Sequence, residues 1–282
     1  MVTPPSAVEN PQESVARSNS PVIIFDHVWL GFEGKPLLKG ISFHLTQGET
    51  KAIFGVAGSG KSTILKLVLG LIKPDEGHIH VLGKDITEMQ EDELFELRRK
   101  IGMVFQESAL FDSLTVRENV AFRLMEEHDV PEQEIERRVR EALSFVELEH
   151  TVNMFPSELS GGMRRRVAIA RAIITQPEIL LYDSPTGGLD PVTSTTIIEL
   201  IVKQRDVYKT SSLLVTHRLQ DAFIMASHYF DRKLNKMLPL APGARGEVPM
   251  TFMILHEGKI IFDGDAQELA RSRDEYIREY IS

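Results

Sequence analysis

The residues best suited to chemistry lie in the stretch GVAGSGKST, at positions 55–63. Its glycines, its lysine and the hydroxyl after the lysine fit the spacing G-x-x-x-x-G-K-[ST] without a departure. Glycines let the backbone curl so that successive N–H groups point at phosphate oxygens. The lysine can bridge two phosphates, and the hydroxyl can ligate Mg²⁺. The predicted nucleotide-binding residues are Gly55, Gly58, Ser59, Gly60, Lys61, Ser62 and Thr63, with Ser62 also a metal ligand.

The neighbours of this glycine loop are those that phosphate binding requires. Apolar residues up to Ile53 and Phe54 are typical of a strand, and ILKLVLGLI at 64–72 predicts a helix. A loop between a strand and a helix presents its N–H groups at the helix N-terminus, whose partial positive charge favours an anion. The alternative is a glycine-rich turn that precedes a helix by chance.

A second candidate is Asp183, the last residue of the apolar run EILLYD at 178–183. A short, wholly apolar strand is typical of a buried parallel sheet. Ligands of α/β proteins bind at the carboxyl ends of such strands, so Asp183 is predicted to hold Mg²⁺ through water. The alternative is an aspartate that only terminates a strand.

The elements that must position these residues predict an α/β fold with a mainly parallel sheet at its core. The run 212–217 is a second buried strand, and alternating Ile41, Phe43 and Leu45 indicate an N-terminal antiparallel β subdomain. Residues from about 107 to 176 predict an all-helical subdomain.

The two ends of the chain and one internal stretch are predicted to be less regular. Residues 1–20 are rich in Pro, Ser, Asn and Glu and predict a disordered tail, so the folded domain spans 21–265. Residues 231–250, rich in Pro, Gly and basic side chains, are interpreted as a loop insertion. Residues 266–282 are predicted to form a C-terminal helix.

Net charge, cysteine content and the length of the apolar stretches argue against several classes of protein and site. The net charge of −9 argues against a nucleic-acid binder, which usually has a basic face. The absence of cysteine excludes disulfides and thiolate sites. No stretch approaches the roughly 20 apolar residues that span a bilayer.

The stretch LSGGMRRRVAIARA at 159–172 resembles the signature motif, usually LSGGQ, of the ATP-binding subunits of ABC transporters. The resemblance spans roughly residues 22–265. Within that range the other motifs of the family occur in the expected order before and after the signature. They are the glycine loop, Gln106 in MVFQ, the signature, Asp183, the loop GGLD that ends at Asp190, and His217 in VTH. The resemblance implies the P-loop NTPase (RecA-like) fold, with ATP and Mg²⁺ as cofactors.

The resemblance also implies a head-to-tail dimer with a second ATP-binding subunit, taken to be a copy of this chain. Each ATP would lie between the glycine loop of one subunit and Ser160, Gly161 and Gly162 of the other. A serine and two glycines that open a helix form an anion cradle on physical grounds as well. The alternative for 159–166 is a capped surface helix with a solvated arginine run.

The resemblance also implies a role for each of four further residues that stand at positions of the family's motifs. Gln106 would touch Mg²⁺ or water and face the membrane partner, and His217 would contact the γ-phosphate. Asp190 would belong to the nucleotide site, and Phe32 would stack on adenine. For Phe32 and His217 the alternative is an ordinary core residue at a strand end.

Ser184 departs from the family, which has a glutamate after the metal aspartate to polarise the attacking water. A serine hydroxyl cannot act as a base near pH 7, although it can hold a water by hydrogen bonds. Three interpretations stay open: slow hydrolysis that depends on His217 and the phosphate cradle, a non-hydrolysing nucleotide switch, or an introduced change that traps bound ATP.

Two details are similar to the ATPases of Mla- or MCE-type lipid transport systems: Met163 in the signature, and the region 105–122. They imply transport of phospholipids or other hydrophobic substrates by a multi-pass permease with an MCE-domain protein. The subunit would lie on the cytoplasmic face of the bacterial inner membrane. The 231–250 insertion departs from the compact family pattern, and its two interpretations are a binding site for a small cytoplasmic regulator and a loose loop. The alternatives are an ABC ATPase for a non-lipid substrate and a soluble ABC ATPase that acts on nucleic acid or ribosomes.

Overall fold

A computed structural model describes residues 20–127, 130–241, 243–244 and 246–281. The predicted disordered tail lies outside the described residues except for Ser20, whose carbonyl oxygen accepts a hydrogen bond from the Gln47 amide. Two positions of the predicted insertion, 242 and 245, and the last residue of the predicted C-terminal helix, Ser282, also lie outside them.

The strands of the described residues form two larger sheets and one separate hairpin. In chain order they are β1 Pro21–Phe32, β2 Lys35–Thr46, β3 Thr50–Gly55, β4 Glu76–Val81, β5 Lys84–Asp85, β6 Ile101–Val104, β7 Ile179–Asp183, β8 Ser211–Val215, β9 His228–Asp231, β10 Lys236–Pro239, β11 Met250–His256 and β12 Lys259–Gly264. The six-stranded sheet has the order β12-β11-β3-β8-β7-β6, and only β12 is antiparallel to its neighbour. The four-stranded sheet, β2-β1-β4-β5, is antiparallel throughout.

The helices that follow these strands are, in chain order, α1 Lys61–Val68, α2 Glu91–Arg98, α3 Val116–Glu126, α4 Glu132–Phe145, α5 Gly161–Ile173, α6 Pro191–Tyr208, α7 Leu219–Ser227, α8 Ala266–Ala270 and α9 Glu275–Ile281. Helices α3, α4 and α5 pack on one another and lie within the helical region predicted at about 107–176. Two single 3₁₀ turns, Glu149–Thr151 and Pro156–Glu158, connect α4 to α5. No helix in the described ranges combines the length and the apolar character needed to cross a membrane.

The six-stranded sheet is buried on both faces, which explains why its strands read as unbroken apolar runs. In β3, Ala52 and Phe54 face the helical core formed with α3 to α6, while Ile53 faces the core shared with α1 and the antiparallel sheet. In β7, Leu180 and Tyr182 alternate with Leu181 in the same way. A one-residue shift of register would exchange these two faces, so the packing fixes where each strand ends. The predicted fold class is confirmed.

The predicted loop insertion contains regular structure, and that prediction was wrong for part of its length. β9 and β10 pair antiparallel, with Met237 opposite Phe230. The Asp231 carboxylate accepts hydrogen bonds from the amides of Lys233 and Leu234 at 2.8 and 2.9 Å, and Asn235 takes a left-handed φ of 49°. Aspartate and asparagine stabilise such turns, so the polar tip belongs to a hairpin.

The predicted C-terminal helix is two short helices, α8 and α9. Asp265 caps α8 and accepts hydrogen bonds from the amides of Gln267 and Glu268. After α8 ends, the Asp274 carboxylate accepts a hydrogen bond from the Ile277 amide at 3.0 Å and so starts a new helix. A second capping residue therefore divides what the sequence pattern predicts as one element.

Candidate functional site

The glycine loop joins the central strand β3 to α1, at the carboxyl edge of the parallel strands. Gly60 is the N-cap of α1, with a φ of 99°. Because glycine has no side chain, it leaves the first amides of the helix to other acceptors, as an anion site requires. Gly58 also has a left-handed φ, 78°, and Ser59 is buried. Thr63 lies in the first turn of α1 and is half-buried.

The start of the loop accepts only glycine. A Cβ atom on Gly55 would lie 2.5 Å from the Leu255 carbonyl oxygen and 2.7 Å from Ser59 Oγ. Lys61 folds over the same backbone, and its Nζ donates to the carbonyl oxygens of Gly55 and Val56, both at 2.8 Å. Burial lowers the pKa of Lys61, and the charge of Asp183 opposes that shift. A buried cation is therefore held over the curled backbone, as the phosphate prediction requires.

The two predicted metal ligands meet although they are 121 positions apart. Ser62 Oγ donates to Asp183 Oδ1 at 3.0 Å, from the first turn of α1 to the end of β7. No group of three or more histidine, cysteine and acidic side chains among the described residues could hold a metal ion by itself. One hydroxyl and one carboxylate fit Mg²⁺, which is usually bound by one or two protein oxygens together with phosphates and water.

Ser184 follows Asp183 in a strained turn. It has a left-handed φ of 46° and is buried. Its amide donates to the Val215 carbonyl oxygen at 2.8 Å, and its own carbonyl accepts from the Gly187 amide at 2.9 Å. A Cβ atom on Gly187 would lie 3.4 Å from Ser184 Cβ and 3.6 Å from Gln106 Cγ. The structure thus brings Gln106 and Ser184 to the same small turn beside Asp183.

His217 lies two residues beyond the end of β8, the strand between β3 and β7. Its side chain is exposed, which disfavours the core-histidine alternative. Partial burial and the charge of Lys61 lower its pKa, while the charge of Asp183 raises it. Both charges act on the imidazole, so His217 lies near Lys61 of the glycine loop and near Asp183.

The signature residues lie elsewhere. Ser160 is the N-cap of α5, and its hydroxyl accepts a hydrogen bond from the Met163 amide at 3.2 Å. A Cβ atom on Gly162 would clash with the side chain of Thr193 in α6, whereas Gly161 is exposed. Among the described residues, no hydrogen bond joins Ser160 or the two glycines to the glycine loop. Within one chain, the helix start at Ser160 to Gly162 therefore does not bind to the glycine loop.

Two further predicted residues have different surroundings. Asp190 is the N-cap of α6 and accepts hydrogen bonds from the amides of Val192 and Thr193, each at 3.0 Å. The hydrogen bonds from Thr193 lower the pKa of Asp190. Phe32 ends β1 and is 52% exposed, so the core alternative does not hold for it. Its exposed ring is available to a planar ligand.

The sequence interpretation missed two arginines of α5. Arg165 is only 4% exposed, and its guanidinium donates to the carbonyl oxygens of Phe105 and Gly187 at 2.7 and 3.2 Å. Arg171 donates to the carbonyls of Ser108 and Ala109 at 2.9 and 2.7 Å. Together they hold the main chain on both sides of Gln106. An arginine among the apolar positions of an otherwise buried helix is the signal that could have identified Arg171.

Comparison with known proteins agrees with this geometry. The family model described as ABC transporter matches residues 38–187. The protein TRIGALACTOSYLDIACYLGLYCEROL 3, chloroplastic, of Arabidopsis thaliana is 38% identical over 266 residues, which cover 90% of this chain and 72% of that protein. The methionine import ATP-binding protein MetN of Bifidobacterium longum is 39% identical over 208 residues, which cover 71% of this chain and 52% of that protein.

Among solved structures, the dimeric post-hydrolysis state of the ATP-binding cassette MJ0796, bound to ADP and Pi, is 30% identical with a TM-score of 0.71. The match covers 86% of this chain and 98% of that one. The glycine loop, the signature and the matched fold all indicate the same family. The chain belongs to the ABC transporter family and is an ATP-binding subunit with the fold of that family's ATPases.

Proposed function

We propose that this chain binds Mg-ATP at Lys61, Ser62 and Asp183 and hydrolyses it slowly to drive a membrane permease. The observation that carries the proposal is the meeting of Ser62 Oγ and Asp183 Oδ1 at 3.0 Å, beside the buried Lys61. A cation, a hydroxyl and a carboxylate at a helix N-terminus match the chemistry of a magnesium-bound triphosphate. Mg²⁺, when bound there, supplies neutralisation of phosphate charge.

The residues of the chain account for most steps of phosphoryl transfer. Lys61 and the amides of the glycine loop bind and orient the β- and γ-phosphates. His217, with its lowered pKa, is suited to act as a neutral imidazole near the γ-phosphate. The side chains of Gln106 and Ser184 both lie beside Gly187, and together they can orient a water. Orientation and charge stabilisation provide most of the rate in this reaction, so hydrolysis proceeds without a carboxylate base.

The missing carboxylate makes turnover slow, and Ser184→Glu tests this. We expect the substitution to raise kcat by about 10²- to 10⁴-fold, the usual contribution of a general base. Ser184→Gln is the matched control, because it has the same size without the charge and should give no such rise. Equal rates for the two variants would contradict the slow-hydrolysis proposal. Single-turnover phosphate release by the wild-type chain separates slow hydrolysis from a non-hydrolysing switch.

The active unit is proposed to be a pair of ATP-binding subunits. The support is that Ser160, Gly161 and Gly162 form an exposed helix start that is not hydrogen-bonded to the chain's own glycine loop. A second copy could place this helix start over the γ-phosphate, and the similar cassette MJ0796 is a dimer in its ADP- and Pi-bound structure. Because the chain is proposed to hydrolyse ATP slowly, gel filtration in the presence of Mg-ATP should show a dimer. The same experiment with Lys61→Ala should show a monomer.

The transported substrate is proposed to be a phospholipid or another hydrophobic molecule. The supports are the match with TRIGALACTOSYLDIACYLGLYCEROL 3, a protein with a lipid in its name, over 90% of this chain, and the SGGM form of the signature. An MCE-domain protein and a small cytoplasmic regulator at the β9–β10 hairpin complete the proposed assembly, on the cytoplasmic face of a bacterial inner membrane.

The second candidate is methionine import, favoured by the 39% identity with MetN. Reconstitution of the chain with its co-purifying permease in vesicles distinguishes the two. Stimulation of ATP hydrolysis by phospholipid acceptor vesicles, without an effect of methionine, would support lipid transport. Stimulation by methionine alone would reject it.

A further inference from the structure

Helix α9 lies against the start of the glycine loop. Ile277 of α9 is buried, and the ring of Tyr276 lies 3.9 Å from the ring of His256 at the end of β11. Tyr280, one turn further, stacks on Tyr276 at 6.1 Å. β11 pairs with β3, and Leu255 is opposite Gly55. The ring stack therefore runs from β11 toward the first glycine of the loop.

The stack ends in a direct hydrogen bond to that glycine. The Gly55 amide donates to Tyr280 Oη at 3.1 Å, across 225 positions of sequence. The carbonyl oxygen of the same residue accepts from Lys61 Nζ at 2.8 Å. The two peptide groups of Gly55 are thus bonded to different side chains, one on α1 and one on α9. Burial raises the pKa of Tyr280, so its hydroxyl is neutral and remains available as an acceptor at physiological pH.

We propose that Tyr280 is a positioning residue for the nucleotide site, whose hydroxyl fixes the peptide group at the start of the phosphate loop. The docked α9 thereby raises the affinity of the loop for Mg-ATP. Gly55 is the residue at which the chain leaves β3 and begins to curl, so its orientation directs the amides that follow. The inference deepens the proposed ATP site and rests on it. Residues 275–281 lie outside the 38–187 match to the family model.

The chain contains its own control in Tyr276. This residue lies one turn before Tyr280 in the same helix and the same ring stack. Its hydroxyl is buried and has no hydrogen-bond partner among the described residues. Tyr276→Phe and Tyr280→Phe therefore remove the same atom from neighbouring positions, and only the second removes a bond to the loop.

The experiment compares both variants with the wild-type full chain by calorimetric titration with Mg-ATP and by steady-state hydrolysis. A net hydrogen bond of ordinary strength corresponds to a factor of about 2 to 10 in affinity. We expect Tyr280→Phe to raise the Kd and the KM for Mg-ATP by about that factor, with kcat within about twofold. Tyr276→Phe should leave all three values unchanged, because its hydroxyl makes no bond.

Amide hydrogen exchange gives a readout that does not depend on nucleotide. We expect the Gly55 amide to exchange faster in Tyr280→Phe than in the wild type or in Tyr276→Phe. Equal affinities of the two variants, or an unchanged Gly55 exchange rate, would overturn the inference while leaving the ATP site in place. A wild-type chain that binds no Mg-ATP would instead reject the proposed function itself.

Discussion

Two helix N-termini of this molecule, at α1 and α5, use the same physical device with different results. Both begin with small residues and expose backbone amides that favour an anion. At α1, Gly60 has no capping side chain, and Lys61 lies buried over the loop. At α5, the Ser160 hydroxyl already accepts from the Met163 amide.

The charged side chains near α5 do not serve its N-terminus either. Arg164, Arg165 and Arg166 donate to main-chain carbonyl oxygens, those of Leu159, of Phe105 and Gly187, and of Val146. The first helix start therefore offers a cation as well as amides to a phosphate group, whereas the second offers amides and one hydroxyl without a cation. This difference supports the proposal that the signature completes a nucleotide site on a second subunit.

The largest expected effect comes from removing the cation of the first cradle. We expect Lys61→Ala to reduce ATP turnover by at least about 10²-fold, as for loss of a preorganised group that stabilises transition-state charge. Equilibrium binding of Mg-ATP should weaken together with turnover. Lys66→Ala is the matched control, because Lys66 is exposed in the last turn of the same helix. Unchanged turnover in Lys61→Ala would reject the assignment of this site.

A smaller and more selective effect is expected at the second cradle. A Cβ atom on Gly161 meets only Leu189 Cδ2, at an ordinary 3.8 Å, so Gly161→Ala should leave the chain folded. We expect turnover to fall by about tenfold or more, because the added methyl group would hold the partner's phosphate away from the amides and weaken a hydrogen bond to a charged group, while a single subunit binds Mg-ATP as before.

Gly162→Ala provides the contrast, since its Cβ would clash with Thr193. We expect that variant to lower the melting temperature, whereas Gly161→Ala lowers only turnover and dimer formation. If Gly161→Ala weakened binding by the isolated subunit as strongly as Lys61→Ala, the distinction between the two cradles would be lost.

The smallest effect concerns the charges around the first cradle. Burial first, and then Lys61, lower the pKa of His217, while Asp183 raises it. In nucleotide-free protein, Lys61→Met should therefore raise the pKa of His217, and Asp183→Asn should lower it further. An NMR titration of the imidazole C–H signals measures both shifts. Shifts of the same sign in the two variants would mean that His217 does not lie between these charges.

The sequence alone was sufficient for the main strands of the sheet, the glycine loop and the position of Asp183 at a strand end, because each depends on local pattern. A glycine spacing, a buried strand and a terminal aspartate each occupy fewer than ten residues, and a parallel sheet brings strand ends to one edge. The arrangement of Gln106 beside Ser184 was not predicted, because it depends on the strand order that makes β6 and β7 neighbours.

What could not be predicted depends on contacts between distant segments. Nothing near Tyr280 indicates that its hydroxyl reaches Gly55, and a run of arginines at 164–166 is read as solvated until α5 is packed. The hairpin at 228–239 was concealed because its turn residues, Asp231 and Asn235, are polar and equally common in loops. α8 and α9 were merged because two caps within ten residues resemble one polar helix.

The buried side chain of Arg165 connects three segments of the molecule by hydrogen bonds. One guanidinium joins α5 to the end of β6 at Phe105 and to the turn after Ser184 at Gly187. A rotation of α5 must carry both segments along, or leave a buried charge without its acceptors at a cost of about 3–5 kcal/mol. Arg165 therefore couples the position of α5 to the turn that holds Ser184 and to the segment that leads to Gln106.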